Sequence, residues 1–279
     1  MNPLFETWLI VARELKKTLG SAKGMIMFTL SVLGATASTF PVPKIEEAMQ
    51  EAKKVGPEQL HQFKVQLFSD LYMNDATGTR LADAPLKLVI LFFIAVWLAP
   101  LLVVILGFDG IPSDVQHRSV RYWTIRSRRA SYYVGKFLGL WVLVGMITFV
   151  MHALIWVIIV ARGEATASDT LHWGLRFYAV SLPIIGAWCG IATLAASMFR
   201  TPMVALLTVC ITFFLLFFAG VIVGRARHME VMQWAYPNSF DAWMLSPEVT
   251  HALTGLAAVL GFALLTTAVG AFVFSVRDV

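Results

Sequence analysis

Six stretches of this chain are apolar on every side, and one stretch ahead of them is apolar on one side only. The apolar runs lie at about Gly24 to Phe40, Leu86 to Phe108, Phe137 to Ala161, Phe177 to Met198, Met203 to Gly224 and Thr250 to Ser275. Each is close to the roughly 17 to 25 residues a helix needs to cross a bilayer, so six transmembrane helices are expected. Between Asn2 and Gly20, Phe5, Trp8, Leu9, Ala12, Leu15 and Leu19 recur at helical spacing opposite Glu6, Arg13, Glu14 and Lys17. That pattern predicts a helix over residues 2–20 lying in the membrane interface, with Trp8, Arg13, Lys16 and Lys17 as its boundary residues.

The segments between the runs differ in kind. Asp109 to Lys136 carries Arg118, Arg121, Arg126, Arg128, Arg129 and Lys136 against only Asp109 and Asp114. At about 2.5 to 3.5 kcal/mol per Lys or Arg at the membrane centre, that cluster must stay in water. Arginine-rich short loops mark the cytoplasmic side, and six spans then place both termini there too. Arg13, Lys16, Lys17, Lys23, Arg200 and Arg277 fall on the same side, whereas in residues 41–85 acids outnumber bases. That external segment is broken at Gly56-Pro57 and has a Leu60, Phe63, Leu67, Leu71 stripe, which predicts either a helical hairpin over the outer mouth or a solvated helical linker. Residues 225–249 are too long for a turn and contain Tyr236-Pro237-Asn238-Ser239. They either re-enter the outer leaflet or lie on the interface, with Trp234, Tyr236 and Trp243 as belt aromatics.

Composition narrows the class. The 279 residues are 58% hydrophobic and 14% charged, and the mean hydropathy is +0.73, far from a soluble domain with about 25% charged residues. The net charge of +5 collects at span boundaries, so it reports topology and not nucleic-acid binding. Cys189 and Cys210 both sit inside apolar runs, without C-x-x-C spacing, and predict no structural disulfide. No cleaved signal peptide is expected, because Ala35-Thr36-Ala37 is not a good cleavage site and its run is needed as a span. The whole chain reads as one all-α integral membrane domain.

Enzymatic signatures are missing. Gly135-Lys136 lacks the rest of a phosphate-binding loop, since position 130 is Ala and position 137 is Phe, and there is no H-E-x-x-H pair or G-x-S-x-G elbow. No catalytic residue is assigned. His152 is the one ionisable group deep in a span, and hydrogen bonding to a neighbouring helix is favoured over a proton relay. His228, Met229 and Met232 resemble a soft-metal set only loosely, and no metal is assigned. Pro100 and Pro183 interrupt helical hydrogen bonding. Gly186-x-x-x-Gly190 and Gly220-x-x-x-Gly224 permit close helix approach, in the bundle or at a dimer seam. Phe213, Phe214, Phe217 and Phe218 either line an apolar path or face packing and lipid.

The order of parts, an interfacial helix, six spans, a basic first cytoplasmic loop and a longer segment between spans five and six, resembles the permease subunits of type-2 ATP-binding-cassette (ABC) exporters. In that family the loop has an acidic residue, then Gly-Thr, an apolar stretch, Pro-x-Ser-Arg, and Gly-Lys at the next span. Asp114 takes the acidic position here, Val120 to Ile125 the apolar stretch, Ser127-Arg128-Arg129 the basic turn and Gly135-Lys136 the start of the span. Arg118-Ser119 stands in place of Gly-Thr, and Arg126 in place of the Pro.

The resemblance implies a half-transporter that pairs with a second copy, as a homodimer, in the bacterial cytoplasmic (inner) membrane. Two separate cytoplasmic ATPase subunits would bind ATP and Mg, and this chain would bind no cofactor. The loop would serve as the coupling helix, with Asp114, Arg118, Arg121, Tyr122, Trp123, Arg126, Arg128 and Arg129 as its contact residues. The same arginines also suit anionic headgroups. Phe213, Phe214, Phe217, Phe218, Gly220 and Gly224 would lie near the dimer and path. The expected activity is export of an amphipathic or hydrophobic substrate; the alternative is an ABC-type scaffold or mechanical coupler that moves an external partner through the 41–85 hairpin without net flux.

Overall fold

A computed structural model of the chain describes residues 2–39, 57–72, 74–224 and 234–277, and these are helical, with no strand. In chain order the helices are α1 (Pro3–Leu19), α2 (Ala22–Thr39), α3 (Pro57–Tyr72), α4 (Asp75–Ala82), α5 (Leu86–Gly107), α6 (Pro112–Gln116), α7 (Ser119–Arg126), α8 (Arg129–Ala161), α9 (Ala167–Met198), α10 (Pro202–Phe217), α11 (Asp241–Leu245) and α12 (Val249–Val276). Five of them, α5, α8, α9, α10 and α12, are long and apolar enough to cross a membrane; α1 and α2, bent by 75° at the Gly20-Ser21 break, add a sixth if the pair is one span. The chain is an integral membrane protein.

Helix α9 is the hub. Within its most apolar window 83% of residues are buried, against 17% for α10 and 22% for α12, so the last two present most of their apolar surface outward. Phe177 of α9 stacks on Phe92 of α5 at 5.2 Å, and the fully buried Trp188 meets Phe213 of α10 at 4.5 Å. Helices α8 and α9 run 33 and 32 residues, near 48 Å at 1.5 Å per residue, and so outrun a hydrocarbon core of about 30 Å. Their apolar patterns begin at Phe137 and Phe177, but the helices start earlier, at Arg129 and Ala167. For α9 the reason is local: the Thr166 hydroxyl caps the Asp169 amide at 3.1 Å and donates to the Asp169 carboxylate at 2.7 Å.

One end of the bundle gathers α1, residues 109–128, the start of α8, the α9–α10 turn and the end of α12. The opposite end gathers α3, α4, the Lys87–Glu164 ion pair and residues 234–248. At that second end α3 and α4 pack tightly together, Gly78 lying against the backbone and hydroxyl of Ser69. The apolar stripe of α3 differs from the expected one. Val65, Phe68 and Tyr72 turn toward the core, while Leu67 and Leu71 are exposed. The first arm of the expected hairpin, residues 41–56, lies outside the described residues, as do 225–233 with His228, Met229 and Met232.

Segment 234–248 does not skim the bundle. Pro100 has no N–H, so the carbonyl of Val96, four residues earlier, loses its helical partner. The Asn238 side-chain amide donates to that carbonyl at 3.2 Å and to the Tyr236 hydroxyl at 3.2 Å, while its oxygen accepts from the Trp188 indole at 2.7 Å. Val96 lies ten residues into α5, about 15 Å along the helix, halfway through a hydrocarbon core. An irregular segment is tolerated at that depth only with its polar groups satisfied by protein. Gly220 admits it, since a Cβ there would lie 2.2 Å from that of Tyr236.

This geometry predicts a coupling between two distant positions. Asn238→Leu should cost about 2 kcal/mol by orphaning the Val96 carbonyl and the Trp188 indole. In a Pro100→Ala background, where residue 100 regains an amide for Val96, the same substitution should cost about 1 kcal/mol less. A denaturation double-mutant cycle in detergent measures this, and strictly additive costs would contradict the capping role.

Candidate functional site

At the basic end, the loop between α5 and α8 is tied down by a buried ion cluster. The Lys136 ammonium donates to the Asp114 carboxylate at 2.6 Å, the Glu14 carboxylate at 2.8 Å and the Gly110 carbonyl at 2.8 Å. An ammonium has three donors, and all three are used. Asp114 accepts further from the Tyr132 hydroxyl at 2.7 Å and the Ser119 hydroxyl at 3.2 Å, with the Lys17 ammonium 3.8 Å away. The Lys136 and Asp114 side chains are only 3% and 6% exposed, so this cluster is a structural strap and not a surface pair. Asp114 follows the end of the α5 apolar run, in the loop. Its burial pushes the carboxyl up, but the charge and hydrogen bond of Lys136, the Tyr132 hydroxyl and Lys17 outweigh this and hold it at about 2.

The strap sets how α1 lies. Glu6, Ile10, Val11 and Glu14 face inward against α8, and Leu4, Phe5, Trp8 and Leu9 are exposed. Expectation had the polar face of α1 in water, whereas Glu6 and Glu14 face protein; Lys16 and Lys17 remain outward. The approach depends on Gly135 and Gly139: a Cβ at Gly135 would come within 2.7 Å of the Ile10 side chain, and one at Gly139 within 3.0 Å of that of Glu14. The hydropathy pattern gives no sign of this small-residue pair, since its apolar run begins only at Phe137.

Further ties surround the loop. Glu6 accepts from the Arg128 backbone amide at 3.1 Å, and the Arg13 guanidinium lies 4.2 Å from the Trp123 ring. Lys23 at the start of α2 pairs with Asp109 at 2.6 Å and sits 4.8 Å from the Phe108 ring. Arg129 donates to the Ser275 and Arg277 carbonyls at 2.9 Å, and Arg277 donates to Ser197 and Phe199. Burial and the neighbouring Arg200 both push the Arg277 guanidinium down.

The expected contact residues therefore divide. Asp114 is buried in the strap, Trp123 packs against Arg13, Arg129 holds the end of α12, and Val120 is buried. Tyr122 and Ile125 are 54% and 84% exposed, the Tyr122 ring meeting that of Trp123 at 6.2 Å, and exposed Arg118, Arg121 and Arg128 flank them. The Arg126 side chain lies outside what the structure describes. Arg118 has φ +56°, in the left-handed region that disfavours residues with a Cβ.

The four phenylalanines at the end of α10 and the start of the π-helical turn that follows it divide as well. Phe213 packs on Trp188 and Phe217 on Trp97 and Tyr236, whereas Phe214 and Phe218 face outward and stack on each other at 6.4 Å. Gly220 lies against the chain's own Tyr236; Gly224 ends a π-helical turn, Phe218–Gly224. Gly190 faces Thr266 of α12 and Gly186 faces Trp141 of α8. His152 is buried, with Nδ1 on its own Thr148 carbonyl at 2.8 Å. No protein-family model matches the sequence, and no curated protein matches it significantly.

Two predictions test the strap and the strained turn. Lys136→Met should destabilise the fold by about 3 to 5 kcal/mol, because two carboxylates lose their buried partner, whereas the neutral triple change Glu14→Gln, Asp114→Asn, Lys136→Met should recover most of it. Thermal unfolding in detergent reads both. Since the Asp114 pKa is depressed from 3.8 to about 2, its contribution is full above pH ~4 and is lost as pH falls through ~2. Arg118→Gly should be neutral or stabilising by up to about 1 kcal/mol, while Arg118→Val should cost more than that.

Proposed function

We propose that this chain is the membrane-spanning permease subunit of an ATP-driven ABC exporter, moving an amphipathic or hydrophobic substrate with a separate ATPase. The observation that carries the reading is the division of the basic loop: its base is bolted through Asp114 and Lys136, and its tip presents Tyr122 and Ile125 among arginines. A docking helix for a partner needs both properties, an apolar knob with a cationic rim and a rigid mount that carries displacement into the spans.

Three further features support it. Arg118, at the position where the resembling family has Gly, has φ +56°, a conformation that Gly adopts without strain. Helix α1 turns Leu4, Phe5 and Trp8 outward at 75° to α2, which suits a helix lying along the cytoplasmic interface. Residues 236–240 sit at the depth of Val96, as a re-entrant segment would. In this reading the basic end faces the cytoplasm with both termini, the membrane is the inner membrane, and the arrangement is a homodimer with two ATPase copies. ATP and Mg belong to the partner.

The test separates docking from folding. Tyr122→Ala with Ile125→Ala should lower the amount of ATPase that copurifies at least tenfold with membrane insertion unchanged, and Ile125→Ala alone should leave thermal stability unchanged. Trp123→Ala should instead lower stability by about 1 kcal/mol through loss of the Arg13 contact. Undiminished ATPase in the Tyr122/Ile125 variant would overturn the docking role.

A further inference from the structure

At the end of the bundle away from the basic loop, two guanidiniums meet on one backbone oxygen. Arg176 of α9 donates to the Leu245 carbonyl at 2.9 Å and to the Ser246 carbonyl at 3.1 Å, and Arg80 of α4 reaches the same Ser246 carbonyl at 3.4 Å. The two cations therefore stand side by side. Among the described residues neither forms an ion pair, and the acids closest to them in sequence lie against histidines, Asp83 at 4.0 Å from His61 and Glu248 at 3.3 Å from His251. Two like charges held together without an acid repel each other, and carbonyl dipoles offset this only in part. Each guanidinium has five N–H donors, and the contacts to Leu245 and Ser246 leave most of them unused.

The surroundings add to the positive potential. Helix α11 ends at Leu245 and α12 begins at Val249 without a side-chain cap, so the first amides of a 28-residue helix have no intrahelical acceptor a few residues from Ser246. Gly255 of α12 keeps this start folded back on α11, since a Cβ there would come within 2.9 Å of Trp243. Depth matters as much as charge. Arg176 stands immediately before the apolar run of α9 that opens at Phe177, at the hydrocarbon boundary where lipid phosphates lie. Exposed apolar residues occupy both helices at that level, Leu171 and Leu175 on α9 and Val249 and Leu253 on α12. Both arginines are only partly buried, and a pair of planar forks matches the oxygens of a phosphate.

We infer that Arg80 and Arg176 form a binding site for the phosphate of an anionic phospholipid, one whose headgroup carries no cation of its own, with the acyl chains passing Leu175 and Leu253. The unused N–H groups take the phosphate oxygens, while the Leu245 and Ser246 carbonyls hold the forks in place. A zwitterionic headgroup brings an ammonium to a corner that is already cationic, and that sets the selectivity. A soluble phosphate lacks the acyl contacts. The site is separate from the basic loop and does not depend on the exporter reading.

The basic loop also attracts anionic lipid, so the experiment uses the full chain in detergent with Arg118, Arg121 and Arg128 all changed to Gln, and native mass spectrometry reads the bound lipid. Phosphatidylglycerol should bind roughly fivefold or more tightly than phosphatidylcholine. Arg80→Gln should weaken phosphatidylglycerol about fivefold, the effect of one cation near a headgroup, and leave phosphatidylcholine unchanged. Arg80→Lys keeps the charge and should recover most of that loss. Glycerol phosphate in millimolar excess should displace no lipid. Equal affinity for the two lipids, unchanged phosphatidylglycerol binding in Arg80→Gln, or Gln and Lys variants that weaken both lipids alike would overturn the site, and displacement by glycerol phosphate would overturn its assignment to lipid. The headgroup comparison needs no change at Arg80, so it decides the matter even where a variant folds poorly.

Discussion

A single ammonium, that of Lys136, sets the geometry of the basic end. Burying an unpaired charge costs several kcal/mol, so the fold must bring acceptors to it. They come from three places: Glu14 on α1, Asp114 on α6 and the Gly110 carbonyl past α5. Because Glu14 must reach Lys136, the face of α1 that carries Glu6, Ile10, Val11 and Glu14 turns inward, and Leu4, Phe5, Trp8 and Leu9 are left outward. Because Asp114 must reach the same atom, the loop folds back on α8, which leaves Tyr122 and Ile125 at its tip. The orientation of the candidate docking surface is thus a consequence of satisfying one charge.

The same rule acts in the middle of the bundle on a neutral group. Pro100 frees the Val96 carbonyl at a depth where water cannot reach it, and Asn238 is drawn in to cap it. Asn238 in turn satisfies the Trp188 indole, so α5, α9 and the 236–240 segment share one polar knot. Helix α5 is therefore tied at two levels, by this knot at its centre and by Lys23–Asp109 and Lys136–Gly110 just past its end. A displacement of the loop has a direct route into α5; whether it reaches the knot depends on the helix moving as a rigid body about Pro100.

Five of the six expected spans were legible because continuous apolar runs leave a helix little alternative in lipid; the first, Gly24 to Phe40, is long and apolar enough only together with α1 across the 75° bend. Helix starts were not, because Arg129–Ser131 and Ala167–Asp169 are polar turns that hydropathy does not register, the second held by the Thr166 cap. The direction of α1 was illegible for a deeper reason. In water an amphipathic helix hides its apolar face, but at a membrane boundary that face finds lipid, and Glu6 and Glu14 find protein cations and amides instead. The strap residues could have been suspected from Gly135 and Gly139 flanking Lys136, a pair that admits another helix beside a charge needing a partner. Asn238 carried only a helix-breaking signal, and nothing in one sequence connects it to Pro100, 138 residues away in the chain.

Helix α10 shows how one span serves two surroundings. Its inward phenylalanines, Phe213 and Phe217, pack on Trp188, Trp97 and Tyr236, and so belong to one aromatic assembly with the 236–240 segment. Its outward pair, Phe214 and Phe218, joins exposed Leu207 and Ile211 in a continuous apolar strip. A second copy or lipid meeting that strip would leave the inner rings in place. Rotation of α10 would instead exchange the two pairs, and it would have to break the Trp188–Phe213 contact and the Gly220–Tyr236 approach together. Any repositioning of α10 therefore also breaks the contacts of Phe217 with Trp97 and Tyr236, and so loosens the hold on the 236–240 segment.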